Sequence, residues 1–224
     1  MIQMQLPQVI TAIGGLGTAS FGLVDGFKAF LSPINRIGLK FINAAVTALI
    51  PGATPQQMIL ETLEANWING TDLGSQKSIA KSLIKLNLNA GNAARLAAAT
   101  SVDPAILTTV ATKIAAGNAP GNALQPNESD VYQRFDFAVT ALLDEAYQRS
   151  DQHYRNWTRS LAMLVSIALA LAGGYMLHTN GESWRTDLGE SFLVGLLATP
   201  LAPIAKDLST ALATAVNTLQ LVKK

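Results

Sequence analysis

Catalysis needs a nucleophile beside a base, a tuned pair of acids, or metal ligands at a workable spacing. Few residues in this chain approach any of these. Ser78-Ile79-Ala80-Lys81 has the S-x-x-K spacing in which a lysine one helical turn on could take the serine proton for acyl transfer. The Ser-Asp-Asn and Lys-Thr-Gly segments that complete such a site are missing, and a solvated helix face accounts for the pair. Glu61 with Glu64, and Asp144 beside Glu145, are carboxylate pairs on predicted helix surfaces, where solvation and local charge pairing suffice. His153 and His178 are the two histidines. The topology derived below puts them on opposite sides of a membrane, so they share no metal, and a lone His178 has no spacing that would mark a haem or pigment ligand. With no cysteine there is no disulfide, thiolate site or Cys nucleophile. Neither a metal nor a cofactor is indicated, and no catalytic residue is assigned.

The elements that carry these residues are set by lipid-like composition. Of the 224 residues only 14% are charged and 49% are apolar, against roughly a quarter charged in soluble proteins, and the mean hydropathy is +0.27. Lys and Arg are scattered, which leaves no footprint for nucleic acid. Residues 1–24 carry no charge, unlike the basic start of a secretory signal, so the N-terminus is expected to be retained. The strongest span is Ser160–Leu177, in an uncharged run reaching Gly181, long enough to cross a bilayer core. Tyr154, Arg155, Trp157 and Arg159 precede it as an aromatic and basic collar of membrane-interface anchors, with Trp184 serving the other interface.

A second span is expected over Val9–Leu31. Its weak hydrophobicity is offset by Gly14, Gly15, Gly17, Ser20 and Gly22, small residues that let another helix approach closely. These five are the candidate helix-packing interface. The local G-x-G is no phosphate loop, since no strand precedes it and no Lys-Ser/Thr follows. Asp25 and Lys28, three residues apart, can pair on one face where this helix leaves the membrane. The third span, Ser191–Ala205, is short and interrupted by Pro200 and Pro203, so a re-entrant course is the alternative to crossing. The loop 178–188 suits a return hairpin.

Charge placement orients this arrangement. Lys28, Arg36, Lys40, Arg149, Arg155, Arg159, Lys206, Lys223 and Lys224 fall on one side of the predicted spans, and Arg185 alone on the other. The positive-inside rule makes that side cytoplasmic, with the N-terminus out and the C-terminus in. The predicted organisation is a Gly-rich span in 1–31, an α-helical cytoplasmic domain in 32–158, a transmembrane hairpin in 159–205 and an amphipathic C-terminal helix in 206–224. The fold class is all-α, an integral membrane protein with about three transmembrane helices.

Within 32–158 the pattern is helical throughout. Thr54-Pro55-Gln56-Gln57 is a helix start ending near Asn69-Gly70. Residues 75–88 place Ile79, Leu83, Ile84 and Leu86 toward the core and Lys77, Lys81 and Lys85 toward solvent. Ala93–Ala99 and a helix opened by Asp103-Pro104 follow, then a loop over Gly117–Asn127. From Ser129 an unbroken helix runs into the second span, with Val131, Phe135, Val139, Leu142 and Leu143 on one face.

Three stretches, GGLGTASFGLVDGFKAF at 14–30, YRNWTRSLAMLVSIALALA at 154–172 and ATPLAPIAKDLSTAL at 198–212, together resemble a family of uncharacterised bacterial membrane proteins. That family combines a Gly-rich N-terminal span, a helical cytoplasmic region, a W-x-R collar and a final A-P-x-x-K-D-L segment. The resemblance implies a bacterial inner (cytoplasmic) membrane and carries no activity. The function expected is therefore non-enzymatic: a membrane-anchored accessory subunit or scaffold, touching lipid and either itself or a protein partner. A homo-oligomeric channel or membrane-perturbing effector is the alternative, and an enzyme built on Ser78 and Lys81 the third.

Overall fold

The computed structural model describes residues 6–28, 35–50, 53–117, 122–177, 184–185 and 187–203. Among them every regular element is a helix, so the chain is all-α. The helices are α1 (Leu6–Lys28), α2 (Leu39–Leu49), α3 (Ala53–Ile68), α4 (Leu73–Leu86), α5 (Ala93–Thr100), α6 (Pro104–Ala115) and α7 (Pro126–Leu177). A further helix, α8, occupies 187–203. The predicted C-terminal helix 206–224, His178 and most of the loop 178–188 lie outside the described residues.

The chain divides into two compact units. One is Pro33–Tyr154; the other is built from the described residues within Met1–Ser32 and Arg155–Lys224. The helix α7 is continuous from Pro126 to Leu177 and contributes to both.

In the Pro33–Tyr154 unit the helix starts follow local chemistry. Asp72 and Asp103 accept hydrogen bonds from Ser75 N and Ile106 N, each at 2.9 Å, closing orphan amides at the starts of α4 and α6. Pro104 sits where α6 needs no donor. At the start of α7, Glu128 reaches back to accept from Gln125 N at 2.7 Å and also takes Lys113 Nζ at 2.7 Å, so one carboxylate caps α7 and ties it to α6.

The core of this unit is of the ordinary kind. Ile42, Val46 and Leu49 of α2, Leu63 of α3, Ile84 of α4, Leu96 of α5, Leu107 of α6 and Phe135, Val139, Leu143 and Tyr147 of α7 form one buried cluster. The α7 members recur every four residues; Phe135, Val139 and Leu143 belong to the stripe anticipated from its sequence, Val131 and Leu142 are partly buried against it, and Tyr147 extends it. Near α2 the backbone itself packs on α7: Gly38 has φ of 99°, and a Cβ there would lie 2.6 Å from Ser150 O. Ser150 Oγ donates to Gly38 O at 2.9 Å across the same contact. Only glycine fits both the dihedral and the gap.

The reading of α4 needs correction. Leu86, assigned to the core face, is 82% exposed, while Gln76, Ala80 and Ile84 are the buried residues. Lys77, Lys81 and Lys85 do not form a freely solvated face. Lys77 Nζ pairs with Asp144 at 2.5 Å, and Lys81 and Lys85 both pair with Asp136, at 2.5 and 2.9 Å. Carboxylates spaced eight residues apart on α7 meet lysines spaced four apart on α4, which makes the polar edge of α4 a seam against α7.

Candidate helix-packing site

The second unit inverts the polarity of the first. Apart from Val24 on α1, its buried positions among the described residues are small or hydroxylated: Gly14, Gly17 and Ser20 on α1, Ala162 and Ser166 on α7, and Gly195, Ala198, Thr199 and Ala202 on α8. Many of its large apolar side chains point outward, with Leu164 63% and Leu193 56% exposed, while others such as Leu16, Leu161 and Leu196 are half-buried. Leu23, Phe27, Leu169, Phe192 and Leu197 are exposed as well. Water drives large apolar groups inside; helices in lipid gain nothing by burying them and pack through small residues.

Glycine makes each crossing possible. A Cβ on Gly17 of α1 would collide with the carbonyl of Ala198 on α8, at 2.6 Å from its carbon and 3.0 Å from Ala202 Cβ. Where α8 crosses α7, a Cβ on Gly195 would sit 2.5 Å from Ile167 Cα and 3.0 Å from Ser166 O. A third close approach sets Gly174 of α7 against Ser191 of α8, whose Cβ would be 3.0 Å away. The contacts of Gly17 with Ala198 and of Gly195 with Ile167 and Ser166 are to backbone, which no rotamer change relieves, whereas Gly174 meets the Ser191 side chain.

Two hydroxyls of α1 are satisfied within the helix: Thr18 Oγ1 donates to Gly14 O at 3.0 Å and Ser20 Oγ to Leu16 O at 2.8 Å. Ser166 Oγ and Thr199 Oγ1, buried in the same unit, have no hydrogen-bond partner among the described residues.

No family model, curated protein or solved structure matches this chain.

The five residues singled out on α1 separate into two groups. Gly14, Gly17 and Ser20 are buried within the unit, whereas Gly15 and Gly22 are exposed, and a Cβ on either would meet nothing within 4 Å. Gly26 is equally open. Helical spacing places Gly15, Gly22 and Gly26 on a common face, away from Gly17. Of the collar residues, Arg155, Trp157, Arg159 and Trp184 are exposed. Tyr154 falls in the Pro33–Tyr154 unit instead, its ring edge-on to Trp67 with centroids 6.0 Å apart. The described part of the third span, 191–203, lies in the helix 187–203, which begins within the predicted loop 178–188, runs through Pro200 and still includes Pro203. Two helices, through Val9–Phe27 and within Pro126–Met176, are long and apolar enough to cross a membrane.

Ser78 and Lys81 do come together, lining an open cleft of about 290 Å³ with Thr140 and Asp144. Lys81 is committed to Asp136, and an ammonium held by a carboxylate is a poor base for Ser78. Burial pushes the Asp136 carboxyl up, but hydrogen bonds from Lys81 and Lys85 outweigh it and hold the group below its usual range. Lys85 mirrors this: burial pulls it down, and Asp136 with Tyr132 more than restores it. Of the two carboxylate pairs, Glu61 and Glu145 are held locally, whereas Glu64 and Asp144 are held by residues distant in sequence, Asp144 by Lys77. Glu61 accepts from Gln57 Nε2 at 3.0 Å, Glu64 pairs with Arg36 at 2.6 Å, and Glu145 with Arg149 at 3.6 Å.

The positions that sequence reasoning passed over are Asp136, Gly195 and Ala198. Asp136 carried a signal in its eight-residue spacing to Asp144, matching the lysine run. Gly195 and Ala198 were hidden inside an apolar stretch read only for length.

Proposed function

We propose that the chain is a non-enzymatic membrane-anchored assembly subunit, in which α1, the latter part of α7 and α8 lie in lipid and α1 packs against a neighbouring protein. The observation that carries this reading is the inverted polarity of the second unit, small residues in and large apolar residues out. The open face of Gly15, Gly22 and Gly26 supports the second part, because α1 already spends Gly14, Gly17 and Ser20 on its own unit. The resemblance to bacterial membrane proteins and the charge bias around the predicted spans support a bacterial inner membrane, with the N-terminus out, the C-terminus cytoplasmic and Pro33–Tyr154 inside. The test is cross-linking in native membranes. Gly22→Leu should abolish a cross-linked species seen with the parent protein while leaving the chain folded; a parent chain that yields no cross-linked species overturns the reading.

A small homo-oligomeric channel is the second reading, favoured by the buried hydroxyls of Ser166 and Thr199, which have no partner among the described residues. It requires ion flux in vesicles reconstituted with the full chain, reduced by Ser166→Ala. Absence of flux removes it.

A further inference from the structure

We propose that α7 holds one anionic phospholipid where its charged half gives way to its uncharged half, with the headgroup at Asn156, Arg159 and Ser160 and an acyl chain along Leu164 and Ala168. The proposal rests on the placement of the latter part of α7 in lipid argued above. Positions 156, 159 and 160 have the three- and four-residue spacing that brings side chains onto one helix face. All three are exposed, and none has a hydrogen-bond or ion-pair partner among the described residues. Leu164, 63% exposed, and Ala168, also exposed, carry that face onward from Ser160 in steps of four. The polar group consists of an amide, a guanidinium and a hydroxyl, each able to donate. A phosphate only accepts, and a guanidinium can fork two of its oxygens.

Charge decides which lipid fits. Residues 152–177 contain Arg155 and Arg159 but no Asp, Glu or Lys. Arg155 already interacts within the chain, and Arg36 and Arg149 are held by Glu64 and Glu145. Arg159 is the arginine whose charge no described carboxylate meets, and it is the last ionisable side chain before the uncharged run to Leu177. A zwitterionic headgroup brings a cation of its own to its phosphate, whereas an anionic headgroup leaves the phosphate charge for Arg159. The order of the residues excludes a free phosphate as the better match. Leu164 lies four residues beyond Ser160, about 6 Å along the axis, so donors come first and exposed apolar surface follows. That is the order of head and tail in an amphiphile lying along the helix, with the Arg159 stem over apolar surface and its guanidinium at the headgroup level.

The test titrates the full chain in mild detergent with phosphatidylglycerol or phosphatidylcholine of matched acyl chains and counts bound lipid by native mass spectrometry. The first phosphatidylglycerol should bind about fivefold more tightly than the first phosphatidylcholine, the preference one arginine gives an anionic lipid. Arg159→Gln should bring that ratio close to one. Arg149→Gln removes another exposed arginine, one that Glu145 already holds, and should leave the ratio unchanged. Ser160→Ala should weaken phosphatidylglycerol about threefold, the loss of one hydrogen bond. Equal binding of the two lipids by the parent chain, or an equal drop in the two arginine variants, overturns the proposal and leaves the membrane reading standing. Binding of neither lipid overturns both.

Discussion

Asp136 accepts from both Lys81 and Lys85 on α4, and each of the three side chains is less than about a third exposed. Removing the carboxylate leaves two partly desolvated ammoniums facing each other. Asp136→Ala should therefore cost about 1–3 kcal/mol, read from urea unfolding followed by Trp67 in the Trp157→Phe, Trp184→Phe background. A change within error would mean the seam is solvated and ornamental. Because the folded carboxyl is held below its ordinary value, its contribution is complete above the unfolded value of 3.8 and fades as pH falls through the folded one. Asp136→Asn should flatten the acid limb of the stability profile. Tyr147 works at the other end of the scale: burial pushes its phenol from 10.0 up to about 12. Its stabilising effect is complete below pH 10 and is lost as pH rises from 10 toward 12, at about 1.4 kcal/mol per pH unit. Tyr147→Phe should remove that alkaline slope while altering neutral stability little, since the hydrogen bond the phenol donates to Gln76 O is a long one, 3.5 Å. An unchanged alkaline limb would show that the phenol is accessible to water in the folded state.

At the scale of elements, α1 presents glycine on two faces with opposite duties. Gly17 is occupied by the Ala198 carbonyl, so even Gly17→Ala must push α8 away, and overpacking of this kind typically costs about 1–3 kcal/mol. Gly15 and Gly22 meet nothing, so Gly22→Leu should leave the unit intact. Thermal unfolding in detergent, read beside cross-linking in membranes, separates the two: Gly17→Ala should lower the melting temperature, whereas Gly22→Leu should abolish the cross-link at unchanged melting temperature. Loss of both signals in both variants would mean that the two faces are not distinct. Sequence alone displayed a Gly-rich helix but not this division, because small residues are distributed all around α1 and only a partner element distinguishes their faces. The same limit explains α4. Its lysine period was plain, yet Leu86, at the helix end, outweighed Ala80 and Gln76 on the hydrophobic scale, although the latter two are buried. Helix starts were easier, since Asp103-Pro104 encodes its own cap; the start of α7 was set three residues late because the backward reach of Glu128 to Gln125 was overlooked.

The whole molecule combines two folding chemistries in one chain. Pro33–Tyr154 buries Leu, Ile, Phe and Tyr around one core and closes the starts of α4, α6 and α7 with its own side chains. The other unit buries Gly, Ala, Ser and Thr and leaves Leu and Phe outside, a distribution that water would penalise at every exposed leucine. The contrast was not visible in composition, which averages the two, nor in hydropathy, which ranks stretches without saying which face turns inward. It predicts opposite partitioning. Residues 33–154 expressed alone should be monomeric, helical and recovered in the aqueous phase of a detergent phase separation, and should unfold cooperatively in urea. The full chain should enter the detergent phase and resist extraction from membranes by alkaline carbonate. Replacing Leu164, Leu193 and Leu197 together with Ser should shift the full chain toward the aqueous phase, because those side chains face outward and take no part in the glycine crossings. A full chain that stayed aqueous from the start would assign the exposed leucines to a protein partner in water, and the small-residue interior would then need a cause other than lipid.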